Sequence, residues 1–184
     1  MIDSKQNKLD KLIADCKNND RKAQEELYKL YFGLMMNIGM RYCGNWNDAM
    51  EVANSAFLKI YTKIDSYQNK GSFEGWMRRT MVNTALDFIK QNKSHVYDIA
   101  DVNAFEEQLF IDNDAVFEIE QEEILKIVQQ LPTMTRAVFM LNVIEGFKHK
   151  EICEQLGISE GTSHWHLQNA RKLLKDKIQN YLNT

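Results

Sequence analysis

The chain has 184 residues, of which 44% are hydrophobic and 27% charged, with a single proline and a net charge of −3. This composition is typical of one globular domain or of two small helical ones, and it excludes an intrinsically disordered chain. No segment approaches the roughly 18 apolar residues of a membrane span, so a cytoplasmic protein with no membrane insertion is expected. The three cysteines lack paired spacing, so they are expected to be reduced thiols.

The charge is unevenly distributed along the chain. Residues 1–97 carry 15 Lys and Arg against 11 Asp and Glu, and residues 124–184 carry 8 against 5. Residues 98–123 carry 10 acids and no Lys or Arg. We therefore predict two mildly basic modules joined by a strongly acidic segment. Local patches decide whether a protein attracts phosphate more than its overall charge does.

The first part of the chain is predicted to be helical. Residues 1–8 are expected to be frayed, ahead of a short helix at about 9–17. Asp20 is placed to cap a long helix, Arg21–Cys43, which Gly44 ends. Another helix is predicted at 48–64, followed by a polar loop at 65–71. The side chains predicted to point inward are Ala23, Leu27, Leu30 or Tyr31, Leu34 and Ile38 in the first helix, and Val52, Ala56, Phe57 and Ile60 in the second.

Ser72 is predicted to open a helix that runs to about residue 91. Its apolar stripe consists of Phe73, Met77, Met81, Thr84 and Phe88. The opposite flank places an exposed aromatic among donors and positive charge: Trp76, Arg79, Asn83, Leu86 and Lys90. This combination suits unstacked bases and a phosphate backbone. A core position for Trp76 in a helical bundle is an equally good interpretation, and the two can coexist.

Residues 93–117 are too apolar for a free linker and too acidic for a core, so we expect them to bind something basic when ordered. A helix at 117–130 follows, and Pro132 separates it from another at 134–145, which Gly146 closes. The side chains predicted to point inward in this last helix are Ala137, Val138, Leu141 and Ile144. No strand pattern and no internal repeat is present, so the predicted fold class is all-α.

Residues 147–177 contain two helical patterns separated by Gly157, which is the signature of a helix-turn-helix. Ser159 is placed to cap the second helix, whose inward stripe is Ser163, Leu167, Ala170, Leu174 and Ile178. Trp165 points almost the opposite way, and burial under a neighbouring helix is the alternative. A helix that reads the major groove carries amides and aromatics near its start and positive charge further along. The order here is His164, Trp165, Gln168, Asn169, Arg171, Lys172 and Lys175.

Two segments resemble the extracytoplasmic-function (ECF) type sigma factors of the sigma-70 family. LPTMTRAVFMLNVIEGFKHKEICEQLGISEGTS, from Leu131, resembles the opening of their fourth domain, and GSFEGWMRRTMVNTALDFIK, from Gly71, resembles a helix of their second domain. The resemblance covers about residues 8–92 and 117–181. It implies two small helical domains joined by an acidic linker: sigma domain 2 at 1–92, the linker at 93–116, and sigma domain 4, a helix-turn-helix, at 117–184.

The resemblance also implies roles for individual residues. The chain would direct core RNA polymerase to specific promoters and start transcription, under the control of an anti-sigma factor. Residues implied at the −35 element are Thr162, His164, Trp165, Gln168, Asn169, Arg171 and Lys172. Those implied at the −10 element are Tyr67, Gln68, Asn69, Lys70, Ser72, Trp76, Arg79 and Asn83. Those implied in polymerase docking are Asp48, Glu51, Asn54 and Phe57, beside which Ser55 replaces an acid of the family pattern and removes a charge-assisted contact.

Other function classes predict different properties. The main alternative is a helix-turn-helix regulator that does not bind polymerase, which predicts duplex binding by the free protein. A metal site from His149, Cys153, His164 and His166 lacks the paired spacing of structural zinc sites, so no metal or other cofactor is expected. The chain carries no Gly-rich phosphate loop and no nucleophile motif, so neither an enzyme nor a small-molecule substrate is expected.

Overall fold

The structure is a computed structural model, and it describes residues 2–68, 70–92 and 125–182. All regular structure in these ranges is helical, which confirms the predicted fold class. The helices are α1 (Ile2–Lys17), α2 (Arg21–Cys43), α3 (Trp46–Lys63), α4 (Phe73–Gln91), α5 (125–129), α6 (Thr133–Phe139), α7 (His149–Leu156) and α8 (Glu160–Leu182). A 3-10 turn, Ile64–Ser66, follows α3. Within these ranges, no helix combines the length and the apolarity needed to cross a bilayer.

The bounds of α2 are those predicted from its capping residues. Asp20 Oδ1 accepts hydrogen bonds from the backbone N–H groups of Lys22 at 2.8 Å and Ala23 at 3.0 Å. Gly44 ends the helix with a left-handed backbone, φ +81°. Helix α1 instead begins at Ile2, so the prediction that residues 1–8 are frayed is wrong. Once a helix has nucleated, each added residue gains a hydrogen bond, and this favours extension of α1 towards the N-terminus.

Packing divides the chain into two compact units, and each has its own buried side chains. Unit 1 comprises residues 1–39 and 46–85, and unit 2 comprises residues 40–45 and 86–184. In unit 1, a Cβ at Gly39 would lie 3.1 Å from Ala49 Cβ, so glycine allows α2 and α3 to approach closely at this crossing. The largest fully buried side chains of unit 1 are Leu27, Met35, Phe57, Ile60, Ile64, Met77 and Met81.

Unit 2 contains a buried arginine on α6. Arg136 is 4% exposed; it donates from Nε to the carbonyl of Tyr42 at 3.1 Å and from Nη1 to the carbonyl of Gln129 at 2.6 Å. Gln129 Nε2 in turn donates to the carbonyl of Met40 at 3.3 Å. Met40 and Tyr42 belong to the last turn of α2, whose carbonyls carry the negative end of the helix dipole; the Met40 carbonyl also accepts the N–H of Gly44 at 3.2 Å. The negative end of the α2 dipole therefore stabilises the positive charge of the buried Arg136.

The helix predicted at 134–145 changes its geometry part of the way along. Helix α6 ends at Phe139 and continues as a π-helical segment, Met140–Ile144, in which the N–H of Glu145 donates to the carbonyl of Met140 at 3.0 Å. The wider turn rotates the residues after it around the axis. Ile144 is 53% exposed as a result, so its predicted inward position is wrong, whereas Ala137, Val138 and Leu141 are buried as predicted.

Cys16, Cys43 and Cys153, which all lie in the described residues, form no disulfide bond. Burial raises the pKa of the Cys16 thiol to about 11. Because the thiolate is the reactive form, Cys16 is a packing residue at physiological pH.

Candidate nucleic-acid interface

Helices α7 and α8 form the predicted helix-turn-helix within unit 2. Gly157, between them, has left-handed φ and ψ of 63° and 44°, and its N–H donates to the carbonyl of Cys153 at 2.9 Å. Ser159 Oγ accepts a hydrogen bond from the N–H of Thr162 at 3.1 Å and so caps α8, as predicted. The turn between the two helices is therefore specified by local backbone chemistry.

Two small residues lie on the inward side of α8. Ser163 and Ala170 are completely buried, and Ser163 contacts His149 of α7. Leu167 is buried as predicted, but Ile178 is 44% exposed, so its predicted place on the buried stripe is wrong. Only the first part of the stripe is therefore buried.

The outward side of α8 carries the predicted reading face. Trp165 is 59% exposed, which confirms that this aromatic is open to solvent and is evidence against burial under a neighbouring helix. Its ring contacts His166 edge to face, with 4.9 Å between the ring centroids. Of the other residues predicted at this face, Asn169 is half-buried; those exposed are Thr162, His164, Gln168, Arg171 and Lys172. The structure thus gathers all seven on one helix.

Two of the histidines have partners that the sequence analysis missed. His166 Nδ1 lies 3.0 Å from Oγ1 of the buried Thr135, so this ring ties α8 to α6. His149 Nδ1 lies 2.8 Å from Oγ of the buried Ser163, and the His149 ring packs on that of His164 with 3.7 Å between centroids. Among the described residues, no group of three or more His, Cys, Asp or Glu side chains is arranged to hold a metal ion.

The partly buried environments of His149 and His166 predict that unit 2 loses stability in mild acid. Burial lowers the pKa of His166, and burial followed by the charges of His164 and Arg171 lowers that of His149, against an opposing effect of Glu160. An unperturbed histidine has a pKa of 6.5, and both rings have a lower pKa in the folded chain. As the pH falls through this value, the unfolded chain therefore binds protons more readily than the folded chain does. We expect the thermal unfolding midpoint to be highest above this pH and to fall as the pH drops below it. An unchanged midpoint in circular dichroism melts across that window would contradict this prediction.

Helix α4 and the loop before it hold the second predicted set, in unit 1. Arg79 and Asn83 are exposed as predicted, whereas Leu86 is 1% exposed, so its place on the exposed flank was wrong. Trp76 is half-buried: its ring packs against Phe73 at 5.7 Å and Tyr67 at 5.8 Å between centroids. Trp76 therefore belongs in part to an aromatic cluster and in part to the exposed flank, in agreement with the expectation that the two interpretations can coexist.

Tyr67 is the buried residue of the loop at 67–72. This side chain is 8% exposed, and its hydroxyl donates to the carbonyl of Gly71 at 2.8 Å. Ser72 Oγ accepts the N–H of Gly75 at 3.0 Å, which confirms its predicted role at the start of α4. Gln68, Lys70 and Ser72 are exposed, and Asn69 lies outside the described residues. Tyr67 thus supports the loop, and a direct contact of its ring with a base would require it to leave this position.

Helix α3, also in unit 1, carries the third predicted set. Glu51 and Asn54 are exposed and Asp48 is half-buried, but Phe57 is 2% exposed and packs on Tyr28 at 4.5 Å between centroids. Phe57 is therefore a core residue beneath this surface. Two features were missed: the Tyr28 hydroxyl donates to Asn54 Oδ1 at 3.1 Å, and Leu58, one turn after Asn54, is 65% exposed.

Comparisons with known proteins point to one family. Residues 27–95 match the family model for sigma-70 region 2, and residues 121–174 match that for sigma-70 region 4. The ECF RNA polymerase sigma factor SigW of Bacillus subtilis (strain 168) is 29% identical over 185 residues, which cover 93% of this chain and 97% of the relative. The ECF RNA polymerase sigma-E factor of Escherichia coli (strain K12) is 25% identical, with 91% and 93% covered.

One solved structure also resembles the fold. It is the structure of the sigma factor RpoE in complex with the anti-sigma factor NepR from Bartonella quintana, which matches with a TM-score of 0.52 and 16% identity. The match covers 84% of this chain and 96% of the RpoE chain. At this identity the likeness speaks for the fold alone.

Proposed function

Because the chain belongs to the ECF sigma factors of the sigma-70 family, we propose that it directs core RNA polymerase to specific promoters and initiates transcription there, in the cytoplasm. The proposed domains are 1–92 for docking and the −10 element, 93–116 as the acidic linker, and 117–184 for the −35 element. The linker lies outside the described residues. The observation that carries the proposal is the exposed face of α8, on the second helix of a well-formed helix-turn-helix.

The proposed −35 contact is made by α8 in the major groove. Trp165 offers an apolar surface suited to a thymine methyl group, and the Gln168 amide can pair with an adenine edge. Arg171, Lys172 and the Thr162 hydroxyl would hold phosphates, which position the helix without reading sequence. These groups are exposed and need no rearrangement to meet a duplex.

The proposed −10 contact uses the exposed part of α4 and the loop before it. Arg79 and Asn83 would hold the opened strand, and the open side of Trp76 would stack on a base. Because Phe73 and Tyr67 pack against the Trp76 ring, that ring is fixed before DNA arrives. A fixed aromatic loses little conformational entropy on binding.

The proposed polymerase contact is the exposed face of α3 around Asn54. Its Oδ1 accepts from Tyr28, so the amide presents its NH2 group to a partner. Leu58 adds an exposed apolar side chain beside it, of the kind expected at an interface. We also propose that an anti-sigma factor controls the chain, because the similarly folded RpoE is solved in complex with one.

Restoring the missing acid on α3 should strengthen polymerase binding. Ser55 is exposed next to Asn54, so Ser55→Glu places a carboxylate on the docking surface at no cost in packing. We expect about two- to fivefold tighter binding to core polymerase, since partly exposed ion pairs contribute ~0.5–1 kcal/mol. Competition binding with labelled protein measures it.

Ser66→Glu is the matched control, because it adds the same charge at an exposed serine outside α3. Its affinity should equal that of the unchanged chain. Equal gains in the two variants would show a nonspecific effect of charge and would count against a docking surface on α3.

The proposed function is tested by adding the purified chain to core polymerase of its own host, with a library of promoter fragments. Selective transcripts that need both components are expected. A helix-turn-helix regulator that acts without polymerase would instead form no complex with the core enzyme and give no selective transcript. The absence of any selective transcript and of any core complex would overturn the proposal.

A further inference from the structure

The contact between His149 and His164 joins the first residue of α7 to the first turns of α8. The two rings lie 3.7 Å apart between centroids, with 31° between their planes. The hydrogen bond between His149 Nδ1 and the buried Ser163 Oγ fixes the orientation of the His149 ring. The Nε2 atom of His149 remains as its second hydrogen-bonding nitrogen. His164 keeps 55% of its side chain exposed, so the stack lies at the surface.

Charged groups surround this pair on both helices. On α7, the exposed Lys148 and Lys150 flank His149 in the chain. On α8, Arg171 lies near enough to affect the titration of His149, and Glu160 Oε1 lies 3.9 Å from His164 Nε2. Burial and the charges of His164 and Arg171 lower the pKa of His149 against an opposing effect of Glu160, so a proton on the His149 ring is disfavoured in the free chain. An anion at the pair would reverse that balance, because it favours the imidazolium form and accepts charge-assisted hydrogen bonds.

We propose that the stacked pair His149 and His164 is a binding site for a DNA backbone phosphate, which takes up a proton when a duplex occupies it. The proposal rests on the proposed function, since it assumes that a duplex lies along α8. His164 precedes Trp165, and the exposed Arg171, seven residues or about two turns further on, lies on the same side of α8 as His164, so a duplex read by Trp165 and held by Arg171 passes close to the pair. His149 thereby becomes a DNA-contacting residue outside α8.

Proton uptake gives the site a measurable signature. If one proton is bound with the phosphate, duplex affinity rises by up to about tenfold for each unit that the pH falls below neutral, until the pair is protonated in the free chain as well. Contacts made by arginine and lysine alone give no such slope in this range, because these groups stay charged.

The experiment measures binding of the full chain to a fluorescent duplex at low salt, from mildly alkaline to mildly acidic pH. The variants are His149→Asn, whose amide can keep the bond to Ser163, and His164→Gln. The matched control is His166→Asn, because His166 also bonds a buried hydroxyl through Nδ1 but packs against α6. Circular dichroism at each pH shows which variants are folded.

We expect the unchanged chain and His166→Asn to share the pH slope, and His149→Asn and His164→Gln to lose most of it. Equal slopes in all four proteins, or no duplex binding even at the lowest pH where the chain is folded, would overturn the phosphate site. Loss of the slope in His164→Gln alone would also overturn it, since the site requires both rings. Promoter-directed transcription with core polymerase is a separate readout, so this proposal and the proposed function can fail independently.

Discussion

Replacing Trp165 with alanine is expected to lower transcription from promoters that the chain recognises by roughly five- to 150-fold, while the fold keeps its stability. The side chain is 59% exposed, so its removal leaves no cavity in the core. What is lost is the proposed base contact, and a good contact in the major groove is worth about 1–3 kcal/mol of discrimination. Run-off transcription with the reconstituted holoenzyme measures the first effect, and thermal unfolding of the free chain measures the second.

Ile178→Ala is the matched control for this substitution. Ile178 is an exposed apolar residue on the same helix, 44% open to solvent, and it lies about four turns beyond Trp165. Its replacement should change neither transcription nor the unfolding midpoint. If Trp165→Ala instead lowered the midpoint by several degrees, the tryptophan would be a packing residue and the proposed −35 contact would lose its main support.

The parts of the fold that the sequence predicted well are those decided by chemistry within a few residues. Helix α2 begins and ends as predicted because Asp20 caps one end and a left-handed Gly44 stops the other. The helix-turn-helix formed as expected for the same reason, since Gly157 and Ser159 specify its turn locally. The exposure of Trp165 follows from helical periodicity alone.

The parts that it missed depend on contacts between elements distant in the chain. For Trp76 the sequence left exposed and core positions equally open, and it gave no sign that the loop residue Tyr67 packs against the Trp76 ring. The tie between Tyr28 and Asn54 joins residues 26 positions apart. The π-helical turn that exposes Ile144 has no sequence pattern that distinguishes it from a continuous α-helix.

The candidate site also contains residues whose exposure the sequence predicted and a contact that it missed. On α8, exposure agrees with the prediction for Trp165 and Gln168, because neighbours along one helix face are set by its period. The histidine pair was missed, because the sequence does not show that His149 and His164 would meet across the turn. His164 was predicted only as a residue of the −35 contact, and a metal site that includes both histidines was not expected from their spacing.

Gly44→Ala is expected to lower the free energy of unfolding of unit 2 by about 2–4 kcal/mol. Two costs add. A left-handed backbone, here φ +81°, costs alanine about 1 kcal/mol more than glycine. In addition, a Cβ would lie 2.4 Å from Arg136 Nη1, so the guanidinium has to move and its bonds to the carbonyls of Tyr42 and Gln129 weaken or break. Urea unfolding followed by circular dichroism gives the difference.

Gly146→Ala separates these two costs, because Gly146 has nearly the same φ, +75°, and no atom within 4 Å of the added Cβ. It should lose only the backbone part, about 1 kcal/mol. The difference between the two variants therefore measures what the buried Arg136 contributes by bonding the last turn of α2. Equal losses would mean that the guanidinium relaxes into other bonds at little cost, and that the end of α2 does not depend on it.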